Sequence, residues 1–187
     1  MKHALALLAL LVALAACGQP ASAPPPSGPS VYALSLSLRD ASDQPIALDT
    51  FRGHPVLVSM FYGSCPSACP LIVAHMKEVE SQLPPDVRAR TRLLLVSFDA
   101  EHDTPDALAR IAERHRVDAR WKFAVGADDE VRQLANALGV VYRREQGGAF
   151  SHNSVITALD GDGRVVARVD DPLADLAPLA KAVASAR

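Results

Sequence analysis

Pro55-Val56-Leu57-Val58-Ser59-Met60-Phe61-Tyr62-Gly63-Ser64-Cys65-Pro66-Ser67-Ala68-Cys69-Pro70 is the stretch whose reading decides the fold of this chain. Its first half is an unbroken apolar run and reads as a buried strand. Gly63 and Ser64 supply a turn. Pro66 is tolerated in a first helical turn, where its missing N–H costs nothing. A helix is therefore expected from about Ser67 to Leu83, stopped by Pro84-Pro85. Cys65 and Cys69, four residues apart at the start of that helix, should point to one side of it. The partial positive charge of a helix N-terminus favours thiolate over thiol. The pair can thus close a disulfide or hold a soft metal.

Outward from this stretch the elements alternate. Tyr32 to Leu38 alternates like a strand, and Asp43-Gln44-Pro45 makes a turn. Arg92 to Phe98 is a second buried strand. Thr104 reads as an N-cap, with Pro105 and Asp106 opening a helix to about Arg116. Phe123 to Val125 is a short strand, and Asp128 to Leu138 a helix closed by Gly139. Asn153 to Leu159 and Arg164 to Val169 flank Asp160-Gly161-Asp162-Gly163, a hairpin signal, and the tail from Pro172 is an amphipathic helix. This is an α/β pattern with a central mixed sheet flanked by helices. A redox-type Cys pair after its first buried strand suggests a thioredoxin-like arrangement. Ligand sites in such sheets gather at the carboxyl ends of strands, where Cys65 would lie.

The N-terminus bears on compartment. Lys2 precedes an apolar run from Ala4 to Ala16, which ends in Leu14-Ala15-Ala16-Cys17. The run is short for a bilayer span, which takes about 20 apolar residues, and fits a secretory signal peptide. Leu-Ala-Ala-Cys resembles the lipobox of bacterial lipoproteins, and that resemblance implies a lipid on Cys17. Residues 17–30, rich in Pro, Ala, Ser and Gly, read as an extended tether. The expected organisation is a signal peptide over 1–16, a lipid-anchored tether over 17–30 and one domain over 31–187. That domain would stand at the periplasmic face of a bacterial membrane, held there by its lipid anchor.

With Cys17 assigned to lipid, Cys65 and Cys69 are what remain of the three cysteines. A domain of this size has core enough without a staple, and a bridge across one helical turn closes too small a loop to stabilise much. The pair therefore reads as chemical rather than structural. Lys and Arg total 19 against 21 Asp and Glu, interspersed without a basic stripe, so nothing recommends nucleic acid as a partner.

Three segments together carry a family resemblance. Ser64-Cys65-Pro66-Ser67-Ala68-Cys69-Pro70 matches the Cys-Pro-x-x-Cys-Pro motif of the Sco/SenC family. Val96-Ser97-Phe98-Asp99-Ala100-Glu101-His102-Asp103-Thr104-Pro105 is similar to its Val-Ser-x-Asp-Pro-x-x-Asp-Thr-Pro stretch. Ser151-His152-Asn153-Ser154 resembles the late segment carrying its metal-binding His. The resemblance implies a thioredoxin-like copper chaperone with Cys65, Cys69 and His152 as ligands and Asp99 as an acid close to the metal. It further implies delivery of copper to the Cu-A centre of cytochrome c oxidase subunit II, or reduction of that centre's cysteines. Another periplasmic copper chaperone or a thiol reductase would be further partners. Two departures stand out: Ser151 where the family often has Asp, and Ala100 where it usually has Pro. Neither removes a ligand, though Ser151 alters what can orient the imidazole.

Ligand chemistry agrees with this. Two thiolates and an imidazole form a soft, low-coordinate set suited to Cu(I) and able to hold Cu(II), while structural zinc generally wants a fourth ligand. Among the other histidines, which include His54, His75 turns away from the Cys face and His115 reads as solvated; His102 neighbours the Asp99 stretch and could stand near the site, though it reads first as a loop residue. Asp99 ends a buried strand and can serve either as a functional acid or as an organiser of the loop after it. Asp103 reads as structural, beside the helix cap, and Met60, Met76, Trp121 and Phe123 as packing. The rival function is a thiol–disulfide oxidoreductase acting through Cys65 and Cys69 alone. A peroxide-reducing enzyme with Cys65 as nucleophile has no second feature in its favour.

Overall fold

The computed structural model describes residues 28–65, 68–171 and 175–186, with residues 68 and 69 described by backbone alone. The expected signal peptide, Cys17 and most of the expected tether lie outside the described residues. A 3₁₀ turn, Val31–Ala33, is capped by Ser30, whose Oγ accepts the Tyr32 N–H at 3.1 Å. Then follow β1 (Leu38–Asp40), β2 (Pro45–Ile46), β3 (Val56–Phe61), α1 (Ala68–Ser81), α2 (Pro85–Arg90), β4 (Arg92–Ser97), α3 (Pro105–His115), β5 (Trp121–Val125) and α4 (Asp128–Leu138). The chain continues with β6 (Tyr142–Arg144), β7 (Phe150–His152), β8 (Ile156–Leu159), β9 (Val165–Val169) and α5 (Ala177–Ser185).

The main sheet has the order β2-β1-β5-β4-β3-β8-β9. Its centre, β3-β4-β5, is parallel, because helices return the chain between those strands; β1 and β8 run antiparallel to their neighbours in it. This is the mixed α/β architecture that the alternating pattern predicts, and the thioredoxin-like arrangement that the Cys pair suggests. Strand β3 is buried at every position, so both faces of the sheet are covered. Phe61 meets Phe123 edge to face, with ring centroids 5.8 Å apart, and Met60 and Met76 are core filling at 1% and 0% exposure. Helix α1 packs on β3 and touches α5, and Lys77 Nζ donates to the His115 carbonyl at the end of α3. Among the described residues no helix is long and apolar enough to cross a membrane.

The caps follow the sequence closely. Thr104 Oγ1 accepts the Ala107 N–H at 3.3 Å to open α3, and Gly139, at φ 73°, closes α4 in the left-handed region. One expectation changes, and two elements are added to those expected. The strand expected over Tyr32–Leu38 is a 3₁₀ turn followed by a run that enters a ladder only at Leu38, which pairs with β2, while β5 joins from Arg39. The prolines that stop α1 also start α2, with Pro85 at its first position, where a missing N–H is harmless. Residues 142–152 form a hairpin, β6-β7, that is a sheet of its own. Its tip contains Gly147 and Gly148 at φ 100° and 89°, values that glycine adopts without strain.

Candidate metal centre

Phe61 and Ser97 are paired across β3 and β4, so the chain leaves both strands at the same sheet edge. The Cys-bearing loop and the Asp99 loop are therefore neighbours by construction. A backbone bond from the Phe98 N–H to the Phe61 carbonyl, 2.9 Å, continues the pairing past the strand ends. On the first side the chain turns at Tyr62, and the Cys65 N–H donates to the Tyr62 carbonyl at 3.2 Å. Cys65 is buried at 9% exposure and lies ahead of the described helix, not within its first turn. Cys69 is in the first turn of α1; its side chain lies outside the described residues. The expected shared face of the two sulfurs is thus not among the described contacts.

On the second side, Asp103 reaches back to the Cys loop. Its Oδ2 accepts the Gly63 N–H at 2.7 Å and the Ser97 hydroxyl. Burial pushes the Asp103 carboxyl above its ordinary range, and the hydrogen bonds from Ser97 and Gly63 oppose that rise. The folded state therefore holds this proton more tightly than the unfolded chain does. Its stabilising contribution is full below the ordinary value of 3.8 and is lost as pH rises through the raised folded value. Asp103→Asn keeps an acceptor and cannot ionise. Between about pH 4 and pH 7 it is expected to lose less stability than the parent, measured as urea unfolding free energy.

Gly63 fits because it has no side chain. A Cβ there would sit 2.3 Å from Asp103 Oδ1 and 2.8 Å from Ile111 Cδ1. Neither neighbour is free to yield, since Ser97 holds the carboxylate and Ile111 is 7% exposed in the core. Gly63→Ala is expected to destabilise the fold by about 1–3 kcal/mol through overpacking. Thermal or urea unfolding checks it, and an unchanged midpoint would show that the loop gives way without cost.

His152 ends β7, 87 positions after Cys65, and is brought to the turn that carries it. Its ring lies against Tyr62 (centroids 5.7 Å, 89°) and Phe98 (5.2 Å, 59°). Its Nδ1 is 3.0 Å from the Asn153 carbonyl. A carbonyl only accepts, so Nδ1 carries the proton and Nε2 of the neutral ring keeps its lone pair. That is the tautomer that ligation through Nε2 needs. Phe98 is the hub of the surrounding aromatic cluster: it stacks on Tyr142 at 4.7 Å and 12° and meets Phe150 at 5.1 Å and Tyr62 at 5.5 Å.

Asp99, at 1% exposure, directs its carboxylate to His102 and Arg144. His102 Nδ1 is 3.0 Å from each oxygen, and Arg144 Nη2 is 2.9 Å from Oδ1. The His102 imidazole is raised in pKa, first by its hydrogen bond to Asp99 and then by that residue's charge. Glu101 lies close enough to join Asp99 and His102 in a cluster of ligand-type atoms, but Arg144 already pairs with both carboxylates. The cluster is a network of ion pairs and hydrogen bonds built around Asp99 and Arg144. Of the other described histidines, His54 has its Nδ1 3.0 Å from the Arg90 carbonyl, and His75 lines a small crevice with Ile72 and Ser154.

The family model described as SCO1/SenC matches residues 26–186, most of the chain. The chain belongs to the SCO1/SenC family. It is 27% identical over 142 residues to a protein of Stutzerimonas stutzeri, across 74% of this chain and 69% of that relative. In fold it is similar to Bradyrhizobium japonicum ScoI solved with copper bound, at a TM-score of 0.64 and 21% identity, covering 80% of this chain and 93% of that one. It is similar also to BsSco, described as a member of the Sco family of cytochrome c oxidase assembly proteins and as carrying a disulfide switch. There the TM-score is 0.64 with 20% identity, over 79% and 90% of the two chains.

Against this family frame, the sequence reading missed Gly63, Phe98, Tyr142, Arg144 and Phe150 as contributors to the site. Gly147-Gly148 between Arg144 and Phe150 was a usable hairpin signal. The partnership of Arg144 with Asp99 spans 45 positions and leaves no local trace.

Proposed function

We propose that this SCO1/SenC protein binds copper through Cys65, Cys69 and His152 and delivers it to the Cu-A centre of cytochrome c oxidase subunit II. The observation that carries the reading is the placement of His152. Its ring packs on Tyr62, at the head of the turn that ends in Cys65, and its Nδ1 bond leaves Nε2 as the lone-pair nitrogen. Two thiolates with that nitrogen make a soft donor set that matches Cu(I). Three protein ligands leave a position for an incoming ligand, which suits cargo that must be passed on. A relative of the same fold holds copper, and another is described as an oxidase assembly protein. Cys17 and the Pro-rich segment after it would tether the domain to the periplasmic face of the membrane.

In this reading Tyr62 and Phe98 orient the imidazole, Asp103 holds the Cys loop through Gly63, and Asp99 anchors the loop between them. The alternative role uses the same sulfurs: one thiolate attacks a partner's disulfide, and the other resolves the mixed disulfide, leaving the partner reduced and Cys65–Cys69 oxidised. That exchange needs no imidazole, so His152 separates the two. The test is an anaerobic Cu(I) competition titration of the reduced protein against a chromophoric chelator. One tightly held copper supports the chaperone reading. No competition at all would shift the assignment to the dithiol oxidoreductase.

A further inference from the structure

We infer that Arg144 is a positioning residue: its ion pair with buried Asp99 latches the His152-bearing hairpin to the body of the domain. The inference rests on the proposed ligand role of His152 but concerns residues that no ligand assignment includes. The hairpin β6-β7 forms its own sheet and is not a strand pair of the seven-stranded one. Two-stranded ribbons are marginal by themselves, so its placement depends on what ties it down. Backbone and amide bonds at Asn153 secure its base, through Val141 and Gly139. Further out, a cleft of about 430 Å³ opens between the hairpin and α4, lined by Asp128, Arg132, Arg144 and Phe150 among others. There the tie is made by side chains.

Arg144 is suited to the task. Its Nη2 is 2.9 Å from Asp99 Oδ1, its Nη1 is 3.3 Å from Glu101 Oε2, and its guanidinium lies 4.6 Å from the centre of the Phe150 ring on the opposite strand. One planar group thus grips two carboxylates of the β4–α3 loop and stacks on the strand that ends in His152. The Asp99 side chain is 2% exposed, so water screens the pair little on that side. His102 also holds Asp99 but belongs to the same loop and cannot secure the hairpin. Asp103, four residues further along, holds the Cys loop. The β4–α3 loop therefore connects both halves of the candidate centre, one through Asp103 and Gly63, the other through Asp99 and Arg144.

The test compares Arg144→Gln, Arg144→Lys and, as a control, Arg143→Gln in the full chain. Arg143 removes the same charge from the same strand, but it is 77% exposed and pairs with Glu145 of its own hairpin. Amide hydrogen exchange over residues 142–152 without copper is read first. Arg144→Gln should speed exchange there, Arg144→Lys should restore part of the protection, and Arg143→Gln should match the parent. Equal protection in all four proteins would overturn the latch. Cu(I) competition is read second, where Arg144→Gln should weaken binding about 10–100-fold, as loss of a ligand-orienting partner does. In a His152→Ala background the same substitution should cost nothing further; additive losses would overturn a role acting through His152. A parent that binds no copper would defeat the proposed function, while the exchange data would still decide the latch.

Discussion

His152→Ala is expected to weaken Cu(I) binding by at least about 100-fold, beyond the usual loss for residues that merely orient a ligand. The chain should remain folded. The imidazole is half-buried and contributes ring packing against Tyr62 and Phe98, so its removal costs on the order of 1 kcal/mol of stability. A hundredfold change in affinity corresponds to about 2.7 kcal/mol, well separated from that structural cost. The measurement is the Cu(I) competition titration, run on parent and variant at one pH with unfolding curves recorded alongside. Thiol–disulfide exchange with a small disulfide should continue in the variant, since that chemistry needs only the two sulfurs. Copper binding indifferent to His152 would remove the imidazole from the ligand set, however well placed its Nε2.

Phe98→Ala should produce the largest loss of stability among the residues around the site. Phe98 is 3% exposed and packs against Tyr62, Tyr142, Phe150 and His152 at once. Truncating a buried Phe leaves a cavity and costs about 3–5 kcal/mol. Against a typical total of about 5–15 kcal/mol that is a large share, and urea unfolding would reveal it directly. Because the ring also supports His152, copper affinity should fall in the same variant under conditions where it is still folded. A loss under about 1 kcal/mol would mean that the cluster closes over the gap, and that the hairpin does not depend on this ring.

The two predictions probe opposite kinds of information. The Cys loop was readable because its signals are local: an apolar run, a Gly-Ser turn and a proline-tolerant helix start all lie within residues 55–70. The caps of α3 and α4 were readable for the same reason, as Thr104 and Gly139 act on backbone groups within a few residues of themselves. The buried central strands announced themselves as unbroken apolar runs, and their alternation with helices implied a mixed sheet flanked by helices. His152 entered the site through a family resemblance; its spacing from Cys65 contains nothing that places it.

By itself, then, the sequence determined the α/β class with its mixed sheet, the position of Cys65 at the sheet's carboxyl edge and the soft chemistry of the donor types. Short-range backbone sterics and hydrophobic periodicity are enough for those. The tertiary structure alone decided that Asp103 holds Gly63 across 40 positions and that Arg144 grips Asp99 across 45. It also decided that the hairpin carrying His152 stands apart from the main sheet and leans on Phe98. Such contacts are made by side chains whose neighbours are chosen by strand order, and strand order follows from how the whole chain buries its apolar surface rather than from any one segment.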